Sequence, residues 1–464
     1  MDRFQFVVIG AGPAGEAAAH KARELGATVA VVDRGWFGGS CPHIGCVPSK
    51  ALLHSAAVHA AGGDVPWSTA SARRDYMVNR AADAAEPDDS GHVERLRGAG
   101  AEPIRGEARI VGRGRVRVTH DGTARDLAAD HVVVAIGSTT KVPPIEGLEA
   151  TSPWTNREAT LTRELPKSLL VLGGGPTGVE LGQVFVRFGV PTTIVQSGPR
   201  LLPSDHLRNA AAVEEAVRRD GIEVRTGVRA MRTRAGAGRD GAHVVELDDG
   251  SEVEGHVILL ASGRTFELDR IGLEHYGLDA SKRDGVPHDG RLRIADGLWI
   301  IGDAAGPELH THQGHYQGEL AVRMALGETV EPDYRALPRA TYTAPEAAFV
   351  GLSVEGARDA GLDAFELVAE FPQTAKGYSV EAEFGHVTIV ADRASRELVG
   401  AAMATPDASA AIHECVLAIK ARVPIDVLPE TIHAFPSTSR ILNGLFADAR
   451  RELDRPGSVV DGSD

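Results

Sequence analysis

The chain has 464 residues, 43% of them hydrophobic, a formal net charge of −15 and three cysteines. That length fits about three domains. No apolar run approaches the ~20 residues that span a bilayer, and an acidic chain with dispersed basic residues lacks the cationic footprint that phosphates require, so neither a membrane nor a nucleic-acid partner is expected. Met1 to Gln5 leads straight into an apolar strand, without a charged-then-apolar signal segment. A reducing, cytoplasmic setting is therefore expected, where a cysteine pair is more often catalytic than structural.

Phe4 to Ile9 reads as a buried strand that runs into Gly10-Ala11-Gly12-Pro13-Ala14-Gly15 and an Ala-rich helix from Glu16 to Leu25. A second strand, Thr28 to Val32, ends at Asp33, near the distance of about 20 residues at which a dinucleotide fingerprint places its ribose-binding acid. The glycines permit a tight turn and close approach of a pyrophosphate to a helix N-terminus, and Asp33 can accept from a ribose hydroxyl.

Next comes Gly38-Gly39-Ser40-Cys41-Pro42-His43-Ile44-Gly45-Cys46-Val47-Pro48-Ser49-Lys50, with two of the three cysteines. The spacing is too long for a Cys-x-x-Cys loop. On a helix the two cysteines stand about one turn apart, and a distorted turn lets the sulfurs join. The competing readings are a pair of buried thiols or half of a zinc site, but zinc needs a second ligand pair at fixed spacing, which is not visible. The glycines before the pair and Lys50 after it favour a redox-active dithiol.

Cys41 to Ala61 is expected to be helix. Residues 64–89 are polar and Ala-rich with one or two helices, and Val93 to Gly98 ends another. Ala108 to His120 alternates as strand does, and His131 to Ser138 is a buried strand ending at Gly137. Pro143 to Gly147 looks like a domain exit. A second βαβ unit follows: strand Leu169 to Leu172, turn Gly173-Gly174-Gly175-Pro176-Thr177-Gly178, helix Val179 to Phe188 and strand Thr192 to Val195. Its ribose position holds Gln196, not an acid. Val257 to Leu260 with Ala261-Ser262-Gly263-Arg264 ends the inserted unit. Leu298 to Asp303 is an apolar strand closing on an acid. Beyond Arg335, Ala347 to Gly351, His386 to Ala391 and Leu398 to Ala402 look like strands, and Ala408 to Ala421 like an amphipathic helix with Cys415 as a buried small apolar residue. The Gly-, Ser- and Asp-rich tail after Arg455 is expected to fray.

This order of motifs resembles the pyridine nucleotide–disulfide oxidoreductases of the glutathione reductase, lipoamide dehydrogenase and mercuric reductase type, from Phe4 to about Ala449. The markers are the first fingerprint with Asp33, the stretch from Gly38 to Lys50, the second fingerprint with Glu180, Gly302-Asp303, Thr311-His312 and Pro345-Glu346. The resemblance implies an α/β fold with two Rossmann-like nucleotide-binding domains, the NAD(P)H domain inserted in the FAD domain, plus a C-terminal α+β dimerisation domain. The divisions are 1–147 (FAD, first part), 148–264 (NAD(P)H), 265–334 (FAD, central) and 335–464 (dimerisation). It implies FAD on Gly10, Gly12 and Gly15 with Asp33 on its ribose and Asp303 at the ribityl chain. The second nucleotide lies on Gly173, Gly175 and Gly178, and Gly39, Ser40, Gly137, Thr311 and Gly263 complete the cofactor-binding set. Cys46 would be the thiolate against the flavin and Cys41 the interchange thiol. Lys50 and Glu180 would pair beside the flavin N5. Gln196 removes the repulsion an acid would offer a 2′-phosphate, and Arg200 is a candidate phosphate partner, so NADPH is expected, with NADH the alternative. No metal site is expected. A homodimer with composite active sites is.

The family's disulfide-exchanging members carry His-x-His-Pro-x-x-x-Glu near the C-terminus, the second His acting as acid/base across the dimer and the Glu orienting it. This chain reads His433-Ala434-Phe435-Pro436-Ser437-Thr438-Ser439-Arg440. Phe435 takes the base position and Arg440 the orienting one. Phenylalanine cannot take a proton from a thiol, and such a base contributes ~10²–10⁴-fold. A Phe at this position and a Cys-Pro-His start to the redox motif resemble the 2-ketopropyl-coenzyme M oxidoreductase/carboxylase, which makes His43 a candidate against its reading as a solvated helix-start residue. The expectation is an FAD-dependent NAD(P)H oxidoreductase whose dithiol serves a small electrophile. The alternatives are C–S cleavage of that kind, metal-ion or quinone reduction, or a catalytically impaired flavin-binding interaction protein.

Overall fold

The computed structural model describes residues 1–80, 86–280, 286 and 288–455. Residues 81–85 of the polar stretch and the tail beyond Arg455 lie outside the described residues. Among the described residues no helix is long and apolar enough to cross a membrane.

The first sheet is built around strand Asp2–Ile9, whose last residues, Phe6 to Ile9, are buried on both faces. It pairs in parallel with Val29–Asp33 on one side and Thr123–Val134 on the other, with Val8 opposite Val31 and Val133. Glu102–Arg105 continues the sheet beyond Val29–Asp33, and Leu298–Ile300 continues it in parallel beyond Thr123–Val134. Burial on both faces is why these strands read as continuous apolar runs, as a parallel sheet requires. Phe6, Val8, Val31 and Val133 pack beneath helices Pro13–Glu24 and Thr311–Ala325, while Val7, Ile9, Val32 and Val134 face Ile110, Val116 and Leu127. Each such side chain contributes ~1.5–3 kcal/mol relative to exposure. The alternating segment forms an antiparallel hairpin, Glu107–Gly112 with Arg115–His120, paired onto Thr123–Val134.

Because the parallel strands run the same way, their C-terminal ends share one edge. Gly10, Asp33, Gly137 and Asp303 all follow or close strands at that edge, where open α/β sheets bind ligands.

A second parallel sheet has the order Glu223–Thr226, Thr192–Gln196, Leu169–Leu172, Val257–Leu260. Helix Pro176–Arg187 packs on it, and an antiparallel sheet of Ala230–Arg234, His243–Leu247 and Glu252–Gly255 covers the other face through Val245, Leu247 and Val253. The C-terminal part is a five-stranded antiparallel sheet, Pro338–Thr341, Glu346–Gly351, Glu397–Thr405, His386–Asp392 and Ala364–Glu370 in spatial order. Helices Ala408–Ala421 and Thr438–Leu453 bury Ile412, Cys415, Leu442 and Phe446 against it. Burial pushes the Cys415 thiol well above the usual range, so it behaves as the small apolar side chain expected.

One element differs from expectation. Cys41 to Ala61 is not one helix: a short turn, Ser40–His43, ends at Ile44 and Gly45, and helix Cys46–Ala60 starts afresh. A Cβ at Gly45 would lie 3.0 Å from the Ser40 carbonyl and 3.2 Å from Cys41 Cα, so the break folds the second cysteine back onto the first.

Candidate active site

Gly38 and Gly39 carry the chain into the dithiol with φ of +91° and +68°. A Cβ on Gly39 would stand 2.7 Å from Gly12 Cα, so only glycine lets the cysteine loop lie on the first glycine turn. Ser40 opens the short turn and is exposed, and both cysteines are free thiols. Cys46 Sγ lies 3.5 Å from Thr311 Oγ1, at the start of helix Thr311–Ala325.

The two thiols are electrostatically unequal. A hydrogen bond from Cys41, the Thr311 hydroxyl and the Lys50 ammonium together lower Cys46 to about 6, against the opposing effect of burial. Cys41 is pushed far up, because it is the donor to Cys46 and is itself partly buried. The negative charge thus favours Cys46 and the proton Cys41, so the two thiols are chemically unequal.

One turn after Cys46 along the same helix, Lys50 Nζ is 2.7 Å from Glu180 Oε2. Glu180 is buried, and its other oxygen accepts the Tyr342 backbone N–H at 2.9 Å. Lys50 also sits 4.6 Å from the Tyr342 ring centroid. Burial pulls the Lys50 ammonium down, but Glu180 outweighs it and holds the lysine above its ordinary value. Three segments distant in sequence are pinned by this one charge.

The first glycine turn fits a dinucleotide. Gly10 has φ of +107°, and a Cβ there would meet the Ala135 carbonyl at 2.2 Å. Gly12 caps helix Pro13–Glu24, with Gly15 buried in its first turn. Asp33 accepts the Ala11 N–H at 2.6 Å and the Gly35 N–H at 2.7 Å. Burial raises the Asp33 carboxyl and these amides offset part of the rise. Each oxygen keeps a further lone pair for a ribose hydroxyl. A cavity of about 100 Å³ runs along Gly10, Asp33 and Gly137. Asp303 accepts from the Ser138 hydroxyl, and Arg264, which donates to the Ser138 carbonyl at 2.7 Å, stands 3.8 Å from Asp303. Ser138 and Arg264 were not singled out as site residues from the sequence. Both adjoin glycines that were, Gly137 and Gly263, and that adjacency was the available signal.

The second turn repeats the first. A Cβ on Gly173 would meet the Ala261 carbonyl at 2.2 Å, Gly175 caps helix Pro176–Arg187, Gly178 lies buried in its first turn, and Gly263 follows strand Val257–Leu260. Gln196 Oε1 accepts the Gly174 N–H at 2.9 Å, the counterpart of Asp33 with Ala11. Arg200 corrects an expectation. Its guanidinium donates to the carbonyls of Leu202, Pro203 and Asp205 at 2.7, 2.8 and 3.1 Å, which closes the following loop and does not leave it turned to a phosphate.

His43 is not the solvated residue one reading expected. It is 1% exposed, bonds the Phe37 carbonyl through Nε2 at 2.8 Å and sits between the rings of Trp36 and His92. Burial holds it below the ordinary histidine value. Phe435 is 73% exposed on the C-terminal domain, and Arg440, also exposed, bonds Asn443. His433 is held at 2.6 Å by Glu414 and at 2.9 Å by the Thr431 carbonyl. Within one chain the charge and hydrogen-bond partners of Cys46 are Cys41, Thr311, Lys50 and Glu180.

Comparison with known proteins agrees with this geometry. The family model described as pyridine nucleotide-disulphide oxidoreductase matches residues 4–320, and its dimerisation-domain model matches 337–444. Dihydrolipoyl dehydrogenase of Chlorobaculum tepidum is 33% identical over 97% of this chain and 98% of its own length. That of Mycobacterium tuberculosis is 31% identical over 96% and 98%. Among solved structures, LpdA from Mycobacterium tuberculosis superposes with a TM-score of 0.85 at 26% identity, covering 97% of this chain and 99% of that one. The HOCl-induced flavoprotein disulfide reductase RclA from Escherichia coli does so with 0.84 at 25%, covering 96% and 99%. Fold, glycine turns and dithiol converge on one assignment: the chain belongs to the pyridine nucleotide-disulphide oxidoreductase family and is an oxidoreductase that uses FAD and NAD(P)H.

Proposed function

We propose that the chain passes electrons from NAD(P)H to the Cys41–Cys46 pair and on to a small electrophile without the family's His–Glu acid/base. The observation that carries this is the Lys50–Glu180 bridge of 2.7 Å one turn after Cys46, in a chain that has Phe435 at the base position. FAD, when bound, supplies the two-electron link between nicotinamide and disulfide. Lys50 stabilises negative charge at Cys46 and beside it. Thr311 holds the Cys46 sulfur. With an activated disulfide, Cys41 attacks one sulfur as the S–S bond breaks, its proton leaves with the departing thiol, and the Cys46 thiolate then displaces the second thiolate to close the Cys41–Cys46 disulfide, so a leaving group able to take the proton replaces part of the missing base. A thioether ketone, quinone, metal ion or activated disulfide fits this chemistry.

The same reading takes 1–147 and 265–334 as the FAD domain, 148–264 as the NAD(P)H domain and 335–464 as the dimerisation domain. A homodimer is supported by the dimerisation-domain match and by Leu417, Ile432 and Phe435, which are 67%, 98% and 73% exposed in one chain. In that dimer Phe435 of a second copy would lie over Cys41. A chain with only three cysteines, two of them in one redox motif, suits a reducing cytoplasm. The neutral Gln196 side chain tolerates the 2′-phosphate of NADPH, now without Arg200 as its partner.

Turnover with each acceptor class, in wild type and Cys41→Ser, tests the reading. The serine variant should keep nucleotide-driven flavin reduction and lose acceptor turnover. Full turnover by Cys41→Ser with every acceptor would leave the dithiol idle and the proposal wrong.

A further inference from the structure

The carbonyl of Ile44 stands between the two cysteines, where the turn Ser40–His43 stops and helix Cys46–Ala60 starts. In an α-helix this carbonyl would accept from the N–H four residues on, but that residue is Pro48, which has none. The partner comes instead from outside the motif. Asn156, the first residue of helix Asn156–Leu161, donates to the Ile44 carbonyl through Nδ2 at 2.9 Å. The other end of the same amide faces the Thr140 hydroxyl, 3.5 Å from Oδ1, which agrees with Nδ2 being the end turned to Ile44. Thr160 Oγ1 is 3.1 Å from the Ile44 oxygen, but its one proton has a nearer acceptor in the Asn156 carbonyl at 2.8 Å.

Helix Asn156–Leu161 is a fixed base for that contact. At its start Thr155 accepts the Arg157 N–H at 3.2 Å while Glu158 accepts the Thr155 N–H at 2.7 Å, which closes a capping box. At its far end the fully buried Arg74 donates to the carbonyls of Thr160 and Thr162. Arg157, beside Asn156, places its guanidinium 4.6 Å from the Trp36 ring centroid, and Trp36 packs on His43. The helix thus grips the cysteine loop twice, at Ile44 directly and at His43 through Trp36.

We propose that Asn156 is a positioning residue for the dithiol: its amide supplies the N–H that Pro48 lacks and so holds the fold-back that sets Cys46 against Cys41. The inference rests on the reading of that pair as the working dithiol. Asn156 acts through the Ile44 carbonyl and not on a sulfur. A disulfide requires the folded-back geometry, with Cα atoms within about 7 Å of each other, whereas a reduced loop relaxes once the contact is gone. Loss of the amide therefore weakens the disulfide relative to the two thiols.

The test equilibrates the FAD-loaded full chain anaerobically, without nicotinamide, in mixtures of reduced and oxidised dithiothreitol. Closing the Cys41–Cys46 bond there reduces one molecule of oxidised dithiothreitol to its dithiol, and the closed fraction is read by acid quench and thiol labelling. Asn156→Ala and Asn156→Leu both remove the donor, one losing bulk and one keeping it. Each should shift the equilibrium about fivefold toward the dithiol, about 20 mV for a two-electron couple. Asn156→Gln keeps an amide donor and should stay within about twofold of wild type. Equal constants for wild type, Asn156→Ala and Asn156→Leu would overturn the proposal and leave the dithiol reading standing. A shift in Asn156→Ala alone would assign the effect to bulk, and a shift as large in Asn156→Gln would assign it to shape, and either overturns the proposal. A wild type that forms no Cys41–Cys46 disulfide in oxidised dithiothreitol alone would overturn both this inference and the reading beneath it.

Discussion

Lys50 Nζ stands 2.7 Å from Glu180 Oε2, and this contact joins the helix that carries Cys46 to the helix that opens the second glycine turn. The two charges act on Cys46 with opposite signs. Lys50 lowers its thiol value and Glu180 raises it. Lys50→Met should therefore move Cys46 from about 6 up toward the free thiol range near 8.5. Glu180→Gln should leave it unchanged or lower. Thiolate ultraviolet absorbance against pH in the reduced protein reads both, and movement in the same direction by both variants would contradict the arrangement.

The nucleotide preference should rest on Gln196 and not on Arg200. Gln196→Glu keeps an acceptor for the Gly174 N–H and adds the charge that repels a 2′-phosphate. It should shift the NADPH/NADH ratio of kcat/KM by about tenfold or more toward NADH, a change of about 1.4 kcal/mol. Arg200→Ala should leave that ratio within about twofold, because the guanidinium is bonded to Leu202, Pro203 and Asp205. A large loss of NADPH selectivity in Arg200→Ala would restore the phosphate role that the structure withholds.

His386 couples stability to pH. Burial, and the neighbouring His206 and Arg208, lower it to about 3. The folded protein thus keeps His386 neutral where an unfolded chain protonates it, near pH 6.5. Acidification below that point feeds protons to the unfolded state, and stability falls progressively until the folded value is reached. Between about pH 7 and about pH 5.5 this single group should cost about 1 kcal/mol. His386→Gln should remove that part of the loss, as measured by urea unfolding at fixed protein and FAD concentration. An unchanged pH slope would show that His386 does not carry it.

Phe435 and Arg440 are proposed as an exchange of function and not as damage, since the dithiol, Lys50, Glu180 and both glycine turns are intact. Phe435→His with Arg440→Glu should gain general disulfide reductase activity of ~10²-fold or more and lose the native acceptor. A rise in turnover toward every acceptor would mark the phenylalanine as a defect.

The parts of this molecule that are local in sequence were legible before its structure. Gly10 and Gly173 each precede a helix and follow an apolar strand, so a turn, its helix and the acid or amide at the next strand end could be read from one short window. The helix break at Ile44 and Gly45 was only weakly legible: Pro48 lacks the N–H that one uninterrupted helix would bond to Ile44, but the Ala- and Leu-rich residues after Lys50 carry the stronger helical signal. His43 was misplaced for a different reason. Its burial comes from Phe37, Trp36 and His92, and only the last packs from a distant segment. Arg200 carries a charge that suggests a phosphate, yet nearby carbonyls capture it. The Tyr342 amide that holds Glu180, and the Arg264 that stands by Asp303, arise from chain crossings that no spacing announces.

The most direct test is anaerobic addition of NADPH to the FAD-loaded chain, followed by absorbance. The account predicts a broad long-wavelength band from the Cys46 thiolate against the flavin, weakened in Lys50→Met and absent in Cys46→Ser. Flavin reduction with the Cys41–Cys46 disulfide left intact, and no band in wild type, would contradict it.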